Sequence, residues 1–154
     1  MADEGIGSRF PAASESPGLL LWRVTNRWQA VMRAALAPHG VTHVQYVLLA
    51  SLTWLADREP ERLVTQTDLA GFAATDLMMT SQVLRSLEKA GLVERLPHPT
   101  DRRARVLRTT PAGAETARRA TADVEDADAA FFAAVDADAF ARQLAALGAA
   151  NLSD

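Results

Sequence analysis

The sequence predicts a mainly α-helical (α+β) domain interrupted by one small β-hairpin. Three observations predict it. Apolar residues recur at helical spacing through most of the 154 residues. Only two short stretches, Leu92 to Pro97 and Ala104 to Thr109, alternate as strands do, and the turn "HPTD" separates them. Ser, Thr, Asp, Pro and Gly punctuate the helical stretches where caps and stops belong.

Residues 1–17, "MADEGIGSRFPAASESP", are small, polar and rich in Pro, Gly and Ser. They read as a flexible arm, and lack the basic region and apolar run of a signal peptide. Residues 18–154 read as one domain. Its first helix places Leu21, Val24, Trp28, Val31 and Ala35 on one stripe and stops near Pro38 and Gly40. Thr42 and Gln45 have the capping-box spacing, and Val44, Val47, Leu48, Ser51 and Leu55 follow at helical period. Both helices are more apolar than one small core requires, which predicts a buried partner surface.

"DREPERLV" then reads as a charged connector. Thr65 caps "QTDLAGFA", with Asp68 as a weaker capping-box partner. After a tight turn at residues 73–75, Asp76 (or Thr75) caps "LMMTSQVLRSLEKA", and Gly91 ends that helix as a residue free to take positive φ. Helix, short turn, helix is the helix-turn-helix arrangement. The two strands make a hairpin whose tip carries Asp101, Arg102 and Arg103. Thr110 and Pro111 supply a cap and first-turn proline for "AGAETARRATADVEDADAAFFAAV". A last amphipathic segment, starting at Asp136 or Asp138, puts Phe140, Leu144 and Leu147 at i, i+4 and i+7.

Composition excludes several classes. Hydrophobic residues make up 49% and charged residues 23%, which is ordinary globular usage. There are no cysteines, so disulfides, thiol nucleophiles and thiol redox switches are excluded, and a reducing cytosol suits the chain. No apolar run approaches the roughly 20 residues that span a bilayer, which predicts a soluble, cytoplasmic protein. His39, His43 and His98 are the only histidines, and they read as solvated or core side chains and not as metal ligands. With no nucleophile elbow and no Gly-rich phosphate loop, the expectation is a protein that is not an enzyme, with no cofactor and no metal.

Charge distribution says more than the net of -3. From Arg85 to Arg108 there are seven basic residues against Glu88, Glu94 and Asp101, so this segment is net +4 and the remainder net -7. A positive patch on an acidic body aims a protein at an anion while the body stays soluble. In the second helix of the motif, Thr80, Val83, Leu84 and Leu87 form the stripe to be buried. Met78, Ser81, Gln82, Arg85 and Lys89 form the opposite one, almost wholly polar. Such a face fits a major groove, where Gln pairs with adenine, Arg pairs with guanine and apolar groups touch thymine methyls. The arginine-tipped hairpin is then a wing, carrying Arg102 and Arg103 to the adjacent minor groove. Thr65, Gln66 and Thr67, at the start of the first motif helix, suit a backbone phosphate. The competing reading is a winged-helix module that binds protein and does not read DNA.

The stretch "VTQTDLAGFAATDLMMTSQVLRSLEKAGLVERLPHPTDRRARVLRTTPAG" resembles the winged helix-turn-helix of the MarR family of bacterial transcription regulators. Its most specific parts are "LEKAGLVER", the wing "DRRARVLRT" and the helix start at residues 110–113. The resemblance implies a homodimer held together by residues 18–40 and 111–154, with residues 42–110 as the DNA-binding lobe. It implies a repressor at a palindromic operator, with Asp101 bracing the wing by pairing with Arg103 or a neighbouring arginine. It also implies release by a small aromatic or apolar effector, with Trp22, Trp28, Tyr46 and Trp54 as candidate contacts. Leu77, Met78 and Met79 depart from the family's more polar usage, and Thr109 stands where Leu is usual; both bear on the operator sequence.

Overall fold

The computed structural model describes residues 6–151, with side chains to residue 150. The first five residues of the predicted arm and the last three of the chain lie outside the described residues. Ser16 caps helix α1 (Pro17–Leu36) by accepting from the Leu19 N–H, and Pro17 occupies the first turn, two residues ahead of the apolar pattern. A 3-10 turn at Ala37–His39 and Gly40 at φ +67° end the helix, as Pro38 and Gly40 predict.

The buried side of α1 is Met32 and Leu36, one position round from Val31 and Ala35 of the predicted stripe. Leu21 and Val24, on that stripe, stay 53% and 43% exposed. Helix α2 (His43–Arg58) starts with the complete capping box of Thr42 and Gln45. Its core side chains are Leu48, Leu49, Leu52 and Leu55, whereas Val44, Val47 and Ser51 are only partly buried. The reason is position. Helix α2 packs against α1, against both later helices of the lobe and against its second strand, and a helix covered from several sides need not keep one narrow stripe.

Helices α3 (Gln66–Ala73) and α4 (Leu77–Lys89) are joined by a short turn in which Ala74 takes φ +51°. Strands β1 (Val93–Pro97) and β2 (Arg105–Thr109) pair antiparallel, from Val93 opposite Thr109 to Pro97 opposite Arg105. Each begins one residue later than the sequence pattern suggests. The connector before α3 is not wholly a solvated link. Val64 is buried in the main core and its carbonyl accepts from the Leu107 N–H at 2.8 Å, so the connector ends as a lash on the free edge of β2.

Helix α5 (Pro111–Phe132) is capped by Thr110 and runs back across α1 and α2. Helix α6 (Ala137–Asn151) follows, with Asp136 accepting from the Ala139 N–H at 2.9 Å. Two cores result. The larger gathers Leu48, Leu52, Leu69, Leu84, Leu87, Val93 and Leu107 under the helix-turn-helix, and the smaller gathers Met32, Leu36, Ala120 and Val124 between α1 and α5.

Candidate nucleic-acid interface

Asp76 caps α4 by accepting from the Met79 N–H at 2.8 Å, which settles the choice between Asp76 and Thr75. Thr80, Leu84 and Leu87 are buried and Val83 partly so. Thr80 sits in the core without cost because its hydroxyl donates to the Asp76 carbonyl at 2.7 Å and accepts from Thr75 at 2.7 Å. The opposite face is open: Met78 is 74% exposed, Gln82, Arg85 and Lys89 are exposed, and Ser81 is half-buried. Arg85 lies back along this face, donating to the Ser81 hydroxyl at 3.2 Å.

One basic residue of the cluster turns inward. Val93 is a core residue, and the two-residue repeat of β1 puts Arg95 on the same face. The Arg95 guanidinium donates to the Ser81 carbonyl at 3.4 Å, and its Nε lies 3.5 Å from the Glu88 carboxylate. Charge counting hides this residue; the strand alternation is the signal that finds it. It clamps α4 against the wing.

The wing tip is a turn closed by the Ala104 N–H donating to the Asp101 carbonyl at 3.2 Å, with Arg102 and Arg103 as its two exposed central residues. Asp101 braces this turn, though not by the expected ion pair. Its carboxylate accepts from the backbone N–H of Arg103 at 2.9 Å, and among the described residues no ion pair joins it to an arginine. The local ring needs no long side chain to be ordered, so both guanidinium groups remain at the tip. His98 also belongs to the wing. Its Nδ1 accepts from the N–H groups of Thr100 and Asp101 at 3.3 and 3.1 Å.

Thr65, Gln66, Thr67, Arg95, Arg103 and Arg105 line one groove of about 550 Å³, so the start of α3 and the wing converge. The three polar residues there differ. The Thr65 hydroxyl is spent on its capping box, accepting from the Asp68 N–H at 3.3 Å and donating to its carboxylate at 2.6 Å. That hydroxyl and the Thr65 N–H hold the Asp68 carboxyl below the usual carboxylate range. The Gln66 amide donates to the Leu77 carbonyl at 3.2 Å. Thr67 is exposed.

The four aromatic candidates do not form one site. Tyr46 and Trp54 line a cavity of about 500 Å³ between α2, α3 and α5, together with Phe72, Asp57, Arg118 and Thr121. Trp54 stacks on Phe72 with centroids 5.5 Å apart, and the Arg58 guanidinium lies 5.7 Å over its ring. Burial pushes the Tyr46 phenol up, keeping it neutral, and its hydroxyl lies 3.2 Å from that of Thr121. Thr121 already donates to the Ala117 carbonyl at 2.8 Å, so Tyr46 is the donor of that pair.

Trp28 belongs elsewhere. Its Nε1 donates to Asp128 at 2.7 Å and its ring meets His43 edge-on, while burial lowers the His43 pKa. It lines a smaller apolar groove of about 190 Å³ with Leu21, Val24, Phe132, Phe140 and Leu144, between α1, α5 and α6. Trp22 is 68% exposed and lines neither of these two spaces. Phe72 and Arg118 are among the cavity residues that sequence reading missed, since only the packing of α3 and α5 on α2 brings them to Trp54. Among the described residues, no helix is long and apolar enough to cross a membrane, and no cluster of three or more His, Asp or Glu residues is placed to hold a metal ion.

Comparison with known proteins gives this arrangement a family. The MarR family model matches residues 41–104, from just before α2 to the wing tip. The uncharacterized HTH-type transcriptional regulator YdcH of Bacillus subtilis is 44% identical over 127 residues, 82% of this chain and 85% of that relative. The HTH-type transcriptional repressor Rv2887 of Mycobacterium tuberculosis is 34% identical over 140 residues, 88% of this chain and 96% of the relative. A solved structure of the Mycobacterium tuberculosis MarR family protein Rv2887 in complex with DNA superposes with a TM-score of 0.64 at 32% identity, covering 86% of this chain and 98% of that one. CouR from Rhodococcus jostii RHA1 bound to p-coumaroyl-CoA superposes with a TM-score of 0.75 at 26% identity, covering 90% and 94%. With the same fold and this identity along four-fifths or more of both sequences, the chain belongs to the MarR family of transcription regulators.

Proposed function

We propose that this MarR-family regulator acts as a homodimeric repressor that binds a palindromic operator and releases it when a small aromatic or apolar effector binds. The observation that carries the DNA reading is the groove that unites the wing with the start of α3, floored by an arginine that also clamps α4. A protein-binding module has no need of two arginines at a hairpin tip beside an open polar helix face. Met78, Ser81, Gln82, Arg85 and Lys89 lie along the major groove, and Arg102 and Arg103 enter the minor groove. Thr67 is the hydroxyl left to meet a phosphate, because the Thr65 hydroxyl is spent on Asp68, while Gln66 gives one amide N–H to the Leu77 carbonyl and keeps the other.

The open groove of Leu21, Val24, Trp28, Phe140 and Leu144 supports the dimer. A second copy covers these side chains, Leu144 being 44% exposed in the single chain, and a two-fold axis sets two α4 helices about one DNA turn (roughly 34–36 Å) apart. The Tyr46–Trp54–Phe72 cavity supports the effector, being of a size that takes a small organic molecule, with an aromatic stack for a flat ring and Arg118 for an acid. The protein works by binding and not by turnover, in the cytoplasm where its DNA is.

The test selects duplexes from a random pool with the purified protein, then titrates the best one at two salt concentrations while light scattering reports the oligomer. A dimer whose affinity falls steeply with salt is expected, because phosphate contacts release counterions. A folded monomer, or a dimer that retains no duplex at low salt, overturns the reading.

A further inference from the structure

We infer that Gln45 is a positioning residue that ties α4 to the joint between α1 and α2, and thereby sets the half-site spacing the dimer accepts. The inference rests on the operator-binding reading above. In sequence, Gln45 is only the partner of Thr42 in a capping box. In the structure its amide does two things at once. Oε1 accepts from the Thr42 N–H at 2.8 Å, and Nε2 donates to the Ser86 hydroxyl oxygen of α4 at 2.9 Å.

The direction of this chain is determined at both ends. A turned-over amide would set its NH2 against the Thr42 N–H, donor against donor. Ser86 has one proton, and gives it to the Val83 carbonyl at 2.7 Å, so its oxygen is left to accept from Gln45. Hydrogen bonds therefore run one way, from the loop at Thr42 through Gln45 and Ser86 to the backbone of α4. All four groups are matched.

Where the ends lie gives the bridge its consequence. Thr42 comes two residues after Gly40, at the end of the 3-10 turn and short link that join α1 to α2. In that turn His39 is pinned to α5, donating to the Asp123 carboxylate at 2.6 Å. Helices α1 and α5 carry the apolar surfaces assigned to the dimer, and α4 carries the base-reading side chains. Helix α4 packs chiefly on α2, α3 and β1, so the route from the dimer surface to α4 passes through α2. Other polar fastenings of α4, among them Gln66 on Leu77, Thr75 on Thr80 and Arg95 on Ser81 and Glu88, begin deeper in the DNA-binding lobe. The Gln45 bridge begins at the joint. Apolar packing holds α4 on the lobe; the bridge fixes its rotation relative to the hinge, which two helices must share to meet two grooves together.

The test uses the full chain and an operator selected with it, remade with one base pair added to or removed from the spacer between half-sites. The reading is the ratio of Kd on altered and native spacing. Wild type should discriminate against both altered spacers. Ser86→Ala and Gln45→Ala should each lower that ratio by about threefold or more, the scale of one hydrogen bond. Ser86→Thr, which keeps the hydroxyl, should retain it, and the double variant should lose no more than either single one. Ser86→Ala leaves the capping box intact, and at this exposed helical position water and the helix propensity of alanine offset the lost hydrogen bonds, so its melting temperature should stay close to wild type and its affinity for an isolated half-site should match it. A Ser86→Ala protein with the wild-type ratio overturns the bridge, and so do losses that add in the double variant. A wild type indifferent to spacing, or unable to bind duplex, sinks the operator reading itself and the bridge with it.

Discussion

A Cβ placed on Gly113 would overlap the carbonyl oxygen of Leu92. The first turn of α5 lies that close to the residue leading into β1, and three hydrogen bonds hold it there. The Thr110 N–H donates to the Leu92 carbonyl at 3.1 Å, the Thr110 hydroxyl donates to the Gly91 carbonyl at 2.6 Å, and the Gly113 N–H donates back to that hydroxyl at 3.0 Å. "AGL" and "TPAG", twenty residues apart in sequence, are one locus. Gly113 is there for closeness and not for an unusual φ.

Gly113→Ala should therefore destabilise the fold, although alanine favours a helix. Backbone blocks the methyl on one side, and backbone cannot rotate away as a side chain can. Overpacking of this kind costs about 1–3 kcal/mol, against a propensity gain of at most about 1 kcal/mol. Urea unfolding of the variant should show a lower midpoint at unchanged slope; an equal or higher midpoint would mean that α5 slides off β1 without penalty.

Ala74 is the reverse case. It ends α3 at φ +51° and ψ 45°, a left-handed conformation that costs a residue with a Cβ roughly 1–2 kcal/mol. Glycine adopts it freely but loses more entropy on folding. Ala74→Gly should come out stabilising by up to about 1 kcal/mol, without change in DNA affinity. A lower melting temperature for Ala74→Gly would contradict the strain assigned to this turn.

What could be read from sequence follows how local the physics is. Thr42 with Gln45, Thr65 with Asp68, and Thr110 with Gly113 are contacts three residues apart, so the caps are visible in the letters and appear in the structure. The strands and the wing tip lie within one residue of their expected bounds, because a turn closes them locally. Facing is another matter. Leu49 and Leu52 were not separable from Val44 and Val47 as core until α5 and β2 covered α2. The partners of Trp28 and Tyr46, Asp128 and Thr121, lie 100 and 75 residues away, and no spacing rule links them. Arg95 reads as one more charge of the basic run and His98 as a solvated or core ring, because their hydrogen bonds depend on the path of the hairpin.

Asp68 makes one pH dependence predictable. Hydrogen bonds from the Thr65 hydroxyl and N–H hold its carboxyl below the usual range, so the folded chain takes this proton less readily than the unfolded one. The stability it contributes is complete above about pH 4 and is lost as pH falls through the lower folded value. Asp68→Asn should flatten the decline of stability below about pH 4, and Thr65→Ala should cost about 1 kcal/mol at neutral pH through the lost cap. The check is chemical unfolding at a series of pH values. Parallel wild-type and Asp68→Asn curves in acid would show that other carboxylates carry the effect.

The cavity predicts how an effector is recognised. A planar aromatic acid is expected to quench Trp54, and Arg118→Ala should weaken carboxylated ligands more than their neutral amides, by roughly tenfold or more. Phe72→Ala should weaken both, because the stack on Trp54 is lost. Trp22→Phe should bind as wild type does. Binding must also lower operator affinity, since a ligand shifts only an equilibrium whose two states it distinguishes. A panel of phenolic and other aromatic compounds that leaves fluorescence and DNA affinity unchanged removes the effector from the proposal.

The division of labour between α4 and the wing is open to direct measurement. Gln82 and Arg85 stand on the exposed face of α4, and each can make paired hydrogen bonds to a base edge. Arg85 first has to leave the Ser81 hydroxyl, a weak bond at 3.2 Å that a guanine readily replaces. Replacing either residue with Ala should cost roughly 1–3 kcal/mol at the selected operator and little on scrambled duplex. Arg102 and Arg103 occupy the centre of the wing turn, and in the proposed docking they meet minor-groove potential and phosphates. Removing both should weaken specific and non-specific binding together and flatten the salt dependence. Asp101→Ala should behave as a mild wing variant, because its carboxylate holds the Arg103 backbone and not a guanidinium. Each variant is titrated against operator and scrambled DNA at two salt concentrations. Wing variants that lost sequence preference alone, with Gln82→Ala and Arg85→Ala losing affinity uniformly, would reverse the assignment and the docking geometry with it.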